Sequence, residues 1–124
     1  MGLDLYLLTR VPRGEGGHVG WSYGGFNRFR RRLAEAAGLG EIDRFVGYGG
    51  AEPWPPTDVQ PLVPLLHHSD CEGELWGWEV EGLANALRAT IRLWPEDDYD
   101  RKAGELFADM IERAEQGGGV VAFR

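Results

Sequence analysis

Two apolar stripes of helical spacing, parted by one proline, constrain this chain more than anything else in it. Val80, Leu83, Ala84, Leu87 and Ile91 recur at three- and four-residue steps, which predicts a helix over 77–93. Pro95 ends it. Asp97 and Asp98 then stand where they would cap a second helix and favour its positive end. That helix is expected to run to about Gln116. It would bury Tyr99, Ala103, Leu106, Phe107, Met110, Ile111 and Ala114, and stop at Gly117-Gly118-Gly119.

A third stripe lies upstream. Phe26, Phe29, Leu33, Ala34 and Ala37 share one helical face, Ser22 is a ready N-cap, and Gly38 suits the left-handed end. Leu3, Leu5 and Leu7 alternate with Asp4 and Tyr6, which predicts a first strand. Val120 to Phe123 reads as a last strand, expected to pair with the first. Between these, 10–20 is expected as loop, Arg44 to Tyr48 as a short strand, and 57–66 as a helical turn limited by Pro64. Three main helices with a small sheet of two or three short strands make an α+β fold. The 124 residues are expected to form a single domain, 1–124.

The balance of 13 basic and 20 acidic side chains gives a formal charge of −7, the wrong sign for nonspecific nucleic-acid binding. One cysteine, Cys71, leaves no intrachain disulfide. The N-terminal apolar run carries Asp4 and lacks a basic leader, and no stretch has the length of a membrane span. The expectation is a cytoplasmic protein that binds no membrane. Gly14 and Gly16 begin a dinucleotide fingerprint, but Val19 stands where its third glycine belongs, so that reading is discarded.

The densest chemistry lies at His67-His68-Ser69-Asp70-Cys71-Glu72-Gly73-Glu74-Leu75. Residues 68–79 resemble an EF-hand calcium loop, in which oxygen ligands alternate, a glycine makes the turn and a glutamate closes from the exiting helix. Aligned on Gly73, the first three ligand positions are His68, Asp70 and Glu72. Glu74 offers its backbone carbonyl, Leu75 is the apolar position, and Glu79 closes the loop. His68 stands where aspartate is usual, and Trp76 where a bridging water often sits. The resemblance implies a divalent cation, calcium first. The softer donors His68 and Cys71 bring zinc or manganese second. The plain alternative is an acidic turn before a helix, with no ion.

Two further groups stand out. Trp21 and Tyr23 are expected to close over the acidic loop near Cys71 as an aromatic-rimmed pocket. Arg28, Arg31 and Arg32 share a helical face that would suit an anion or an acidic partner. The stretches Trp21-Ser22-Tyr23-Gly24-Gly25-Phe26 with Phe29-Arg30, and Leu65-Leu66 through His68-Ser69-Asp70-Cys71-Glu72-Gly73-Glu74-Leu75, resemble motifs of a group of small uncharacterised proteins from bacteria and their phages. The opening Met-Gly-Leu-Asp-Leu-Tyr fits as well. That resemblance implies a bacterial or phage origin and a cytoplasmic location, and carries no assigned activity. The reading is a small binding or accessory domain with a divalent-ion site at 68–79. The alternatives are a metal-dependent hydrolase using the same loop, and an ion-free domain that binds a protein partner.

Overall fold

Period-two alternation builds one sheet from the two ends and the middle of the chain. The computed structural model describes residues 2–8, 18–56, 58–67, 74–76, 82–117 and 120–123. Strands β1 (Gly2–Leu8), β2 (His18–Ser22), β3 (Glu74–Trp76) and β4 (Val120–Phe123) form an antiparallel sheet in the order β2-β1-β4-β3. The N- and C-terminal strands pair as expected, with Leu5 opposite Phe123 and Leu8 opposite Val120. Among the described residues the sheet has four strands, where two or three were expected. Two were not foreseen: β2, whose first residues fall in the span expected as loop, and β3, which falls inside the 68–79 loop. Its register sets Leu3 against Trp21 and Leu5 against Val19. Val19 and Trp21 are buried, so this strand too alternates.

Ser22 caps α1 (Tyr23–Ala36), its hydroxyl accepting from the Gly25 amide at 2.9 Å. Gly38, at φ +82°, follows the helix end as expected. Phe26, Phe29, Leu33 and Ala34 are buried. A 3₁₀ turn, Ile42–Arg44, follows, and then a lone parallel bridge between Phe45 and Glu52 replaces the short strand expected over Arg44 to Tyr48. The helical turn expected over 57–66 is α2 (Val63–Leu66), one turn long; Pro64 lies in its first turn, where a missing N–H costs nothing and the ring bars extension toward the N-terminus.

The helix predicted over 77–93 begins later. Gly82 has φ +80°, and a left-handed residue cannot lie within a right-handed helix. Helix α3 therefore runs Leu83–Ile91. Residues 77–81, Val80 among them, lie outside the described residues. After Pro95 comes α4 (Tyr99–Gly117), capped by Asp98, whose Oδ1 accepts from the amides of Asp100 (2.9 Å) and Arg101 (3.3 Å).

Helices α1 and α4 pack on the sheet, and α3 lies against both of them. A Cβ at Gly104 would stand 3.1 Å from two Ile91 carbons, so glycine sets how closely α3 approaches α4. Ala103, Phe107, Met110, Ile111 and Ala114 are buried as expected, but Tyr99 and Leu106 are 61% and 53% exposed. Sheet and α3 cover one side of α4, and these two residues fall beyond it. The Tyr99 hydroxyl instead donates to the Gly20 carbonyl of β2. An α+β fold results, with most of its described buried apolar residues in one cluster.

Candidate functional site

The segment leading into the acidic loop is fixed from three sides. Helix α2 is one turn long, and its last carbonyls need donors from elsewhere. The Tyr48 hydroxyl donates to the Leu66 carbonyl at 2.7 Å. Nη1 of Arg30 stands 3.5 Å from the carbonyls of both Leu65 and Leu66. Arg30 is 3% exposed, and its guanidinium lies 4.8 Å from the Phe26 ring centroid and 5.4 Å from that of Tyr48. Trp54 stacks on Phe45 at 4.4 Å and on His67 at 5.4 Å, while its Nε1 donates to the Val46 carbonyl. A Cβ at Gly47 would lie 3.4 Å from Cδ2 of that imidazole.

Sequence reasoning missed Arg30 and Tyr48. For Arg30 a signal existed. Phe26, Arg30, Leu33 and Ala37 lie at i, i+4, i+7 and i+11, which puts the arginine on the buried stripe. No pattern near Tyr48 points to α2.

Beyond the loop, β3 holds the chain to β4, with Glu74 opposite Ala122 and Leu75 opposite Val121. Leu75, the apolar position of the loop pattern, is 2% exposed. His68, Asp70, Cys71, Glu72 and Glu79 lie outside the described residues, and of Glu74 the backbone alone is described. Among the described residues no group of three or more His, Cys, Asp and Glu could hold a metal ion. Glu79, expected to begin the exiting helix, lies outside the described residues, and the described part of that helix begins at Leu83.

Trp21 is not a pocket rim. It is 5% exposed, stacks on Phe29 at 4.6 Å, and donates from Nε1 to Asp100 at 3.0 Å. A strand residue opposite Leu3 falls on the face that α1 and α4 cover, so its ring joins the core. Tyr23 opens α1, with its backbone alone described.

The arginine face does not stand as one surface either. Arg28 is exposed. Arg31 pairs with Asp43 at 2.7 Å. Arg32 reaches Asp98 at 3.0 and 3.1 Å and Asp100 at 2.6 Å, and its guanidinium lies 3.9 Å from the Trp94 ring centroid. Two of the three charges are thus paired within the fold, Arg31 by an acid of the 3₁₀ turn and Arg32 by acids at the start of α4.

The Arg32 pair has a pH signature. Hydrogen bonding from Arg32 holds the Asp98 carboxyl below the ordinary carboxylate range. A depressed folded pKa gives stability that is full above the unfolded value of about 4. It is lost as pH falls through the lower folded value. Asp98→Asn keeps a capping side chain but removes the charge. The variant is therefore expected to be less stable at pH 7 by on the order of 1 kcal/mol, and to lose less than wild type between pH 4 and pH 2. Urea midpoints across that range would show parallel curves if the pair contributed nothing.

A cleft of about 250 Å³ opens between the start of α3 and the end of α4, lined by Gly82, Ala84, Asn85, Glu112, Glu115 and Gln116. It offers amides and carboxylates but no nucleophile paired with a base. No described helix is long and apolar enough to cross a membrane. No protein-family model, curated protein or solved structure matches the chain.

Proposed function

We propose that this chain is a small binding domain whose 68–79 loop holds one divalent cation. Asp70 and Glu72 are its carboxylate ligands, His68 its imidazole ligand, and Glu74 its backbone ligand. The observation that carries the reading is the burial of Leu75 directly after the donor-rich stretch. Leu65 and Leu66 are fully buried before that stretch, so its donors run between two anchored ends. Anchored ends lower the entropy lost on ordering a loop around an ion.

The donor types bear on the preferred ion. A calcium loop opens with an aspartate, where this stretch has His68. One imidazole with carboxylates is a set that suits zinc or manganese better than calcium. The cation would tie the loop between α2 and β3. The hydrolase alternative needs an open position for water on the same ion. Calorimetric titration of metal-stripped protein with zinc and manganese tests the reading. Binding is expected, and His68→Ala should weaken it at least tenfold. Equal affinity in His68→Ala would remove the imidazole from the site.

A further inference from the structure

We infer that the exposed stripe of α4 docks a second copy of this chain, the two helices lying antiparallel across a two-fold axis at Leu106. This does not depend on the cation reading. Tyr99, Lys102, Leu106, Asp109 and Arg113 follow one another at steps of three, four, three and four, and all five are exposed. That spacing is the seam by which one helix lies along another. Tyr99 and Leu106 put two large apolar side chains on it, 61% and 53% exposed. Tyr99 is already fixed in place. Its ring meets Trp21 edge-on at 6.4 Å, and its hydroxyl donates to the Gly20 carbonyl. An aromatic side chain held in this way loses little entropy on binding.

Charge complementarity points to a second copy as the occupant. A two-fold axis at Leu106 sets that leucine against its own copy, and Tyr99 level with Arg113 of the second copy. Lys102 then lies within about 1.5 Å, measured along the helix, of Asp109 of the second copy, and symmetry makes the pair twice. Arg88 holds Asp109 at 2.7 Å, but a carboxylate has lone pairs for further donors. A parallel copy would set Lys102 against Lys102 and Asp109 against Asp109. Two forces oppose docking. Each copy carries a formal charge of −7, and Glu105 beside the axis meets its own copy. Arg92, 3.8 Å from Glu105, offsets the second of these. From Tyr99 to Arg113 the seam is about 20 Å long, short for a tight dimer, so the association is weak.

The experiment is sedimentation velocity of the full chain from micromolar to millimolar concentration. Wild type is expected to pass from monomer to dimer below the millimolar end. Leu106→Ala leaves the fold of one copy intact and should weaken the dimer about tenfold, since two contacts are truncated at once. Leu93→Ala is the control. Leu93 is 69% exposed but lies beyond α3, off the stripe, and its loss should change nothing. Lys102→Glu sets like charges against each other and should also weaken the dimer about tenfold. Adding Asp109→Lys to Lys102→Glu reverses both charges and should restore wild-type association, while Arg88 keeps Glu112 at 2.8 Å. Three results overturn the inference: a wild type that is monomeric throughout, equal weakening by Leu93→Ala and Leu106→Ala, or a double variant as weak as Lys102→Glu alone.

Discussion

Phe29→Ala lowers the stability of this fold by about 4 kcal/mol, while Leu106→Ala changes it by less than about 0.5 kcal/mol. The contrast follows from where the two side chains lie. Phe29 is fully buried and stands where α1, β2 and α4 meet. Its ring stacks on Trp21 at 4.6 Å and meets Trp94 edge-on at 6.0 Å. A Cβ at Gly104 would come within 3.6 Å of it. Removing the ring forfeits its transfer from water and opens a cavity that fixed neighbours cannot close. A loss of that size is a large part of the 5–15 kcal/mol that holds most domains folded. Leu106 is more than half exposed and touches too little to cost much. Urea midpoints for the two variants check this. Similar losses from both would mean that Leu106 is a core residue after all.

Arg30→Met is expected to cost about 3 kcal/mol, the sum of a charge-assisted hydrogen bond and a desolvated ring contact. Methionine keeps much of the volume of the arginine stem but supplies no donor. The carbonyls of Leu65 and Leu66 would lose the guanidinium beside them, in a place with little water to replace it. An opposite force exists. Arginine at 3% exposure has left bulk water, and replacing a buried charge with an apolar side chain is sometimes neutral or stabilising. The contacts to α2 and to the Phe26 and Tyr48 rings argue that the loss wins here. An unchanged or raised midpoint in Arg30→Met would show that desolvation outweighs those contacts.

How far the sequence could be read depended on whether a signal was local. Ser22 and Asp98 were legible as caps, because a capping side chain bonds amides two or three residues away. The pairing of the first strand with the last was legible from apolar alternation at both ends. The α+β class followed from the helical stripes. Strand β2 was missed because the Gly-rich stretch before it masked the alternation of Val19 and Trp21, and β3 because three residues inside an acidic stretch are too few to show a period. The start of α3 was missed because composition does not disclose the φ of Gly82. On α4 the apolar positions formed a stripe wider than the sheet and α3 could cover, which left Tyr99 and Leu106 outside.

The site was legible in its chemistry and not in its supports. The order of donors from His68 to Glu74 can be read from the letters alone. Long-range partners cannot. Tyr48 meets Leu66, and Arg32 meets Asp98 and Asp100, across gaps that no periodicity encodes. Arg32 looked like a surface charge because α4's acids were not in view. Trp21 looked like a pocket rim because its strand was not.

The most direct test of the central claim is a thermal melt of metal-stripped protein with and without zinc, manganese, magnesium and calcium. An ion that binds only the folded state, at a hundred times its dissociation constant, adds about 2.7 kcal/mol. For a domain of this size that raises the midpoint by several degrees. The account predicts such a rise with zinc or manganese, lost in His68→Ala, and a smaller one or none with calcium. A calcium rise lost in Glu79→Gln would restore a closing glutamate to the site. Identical midpoints with and without every ion would contradict the account and leave 68–79 as an acidic turn.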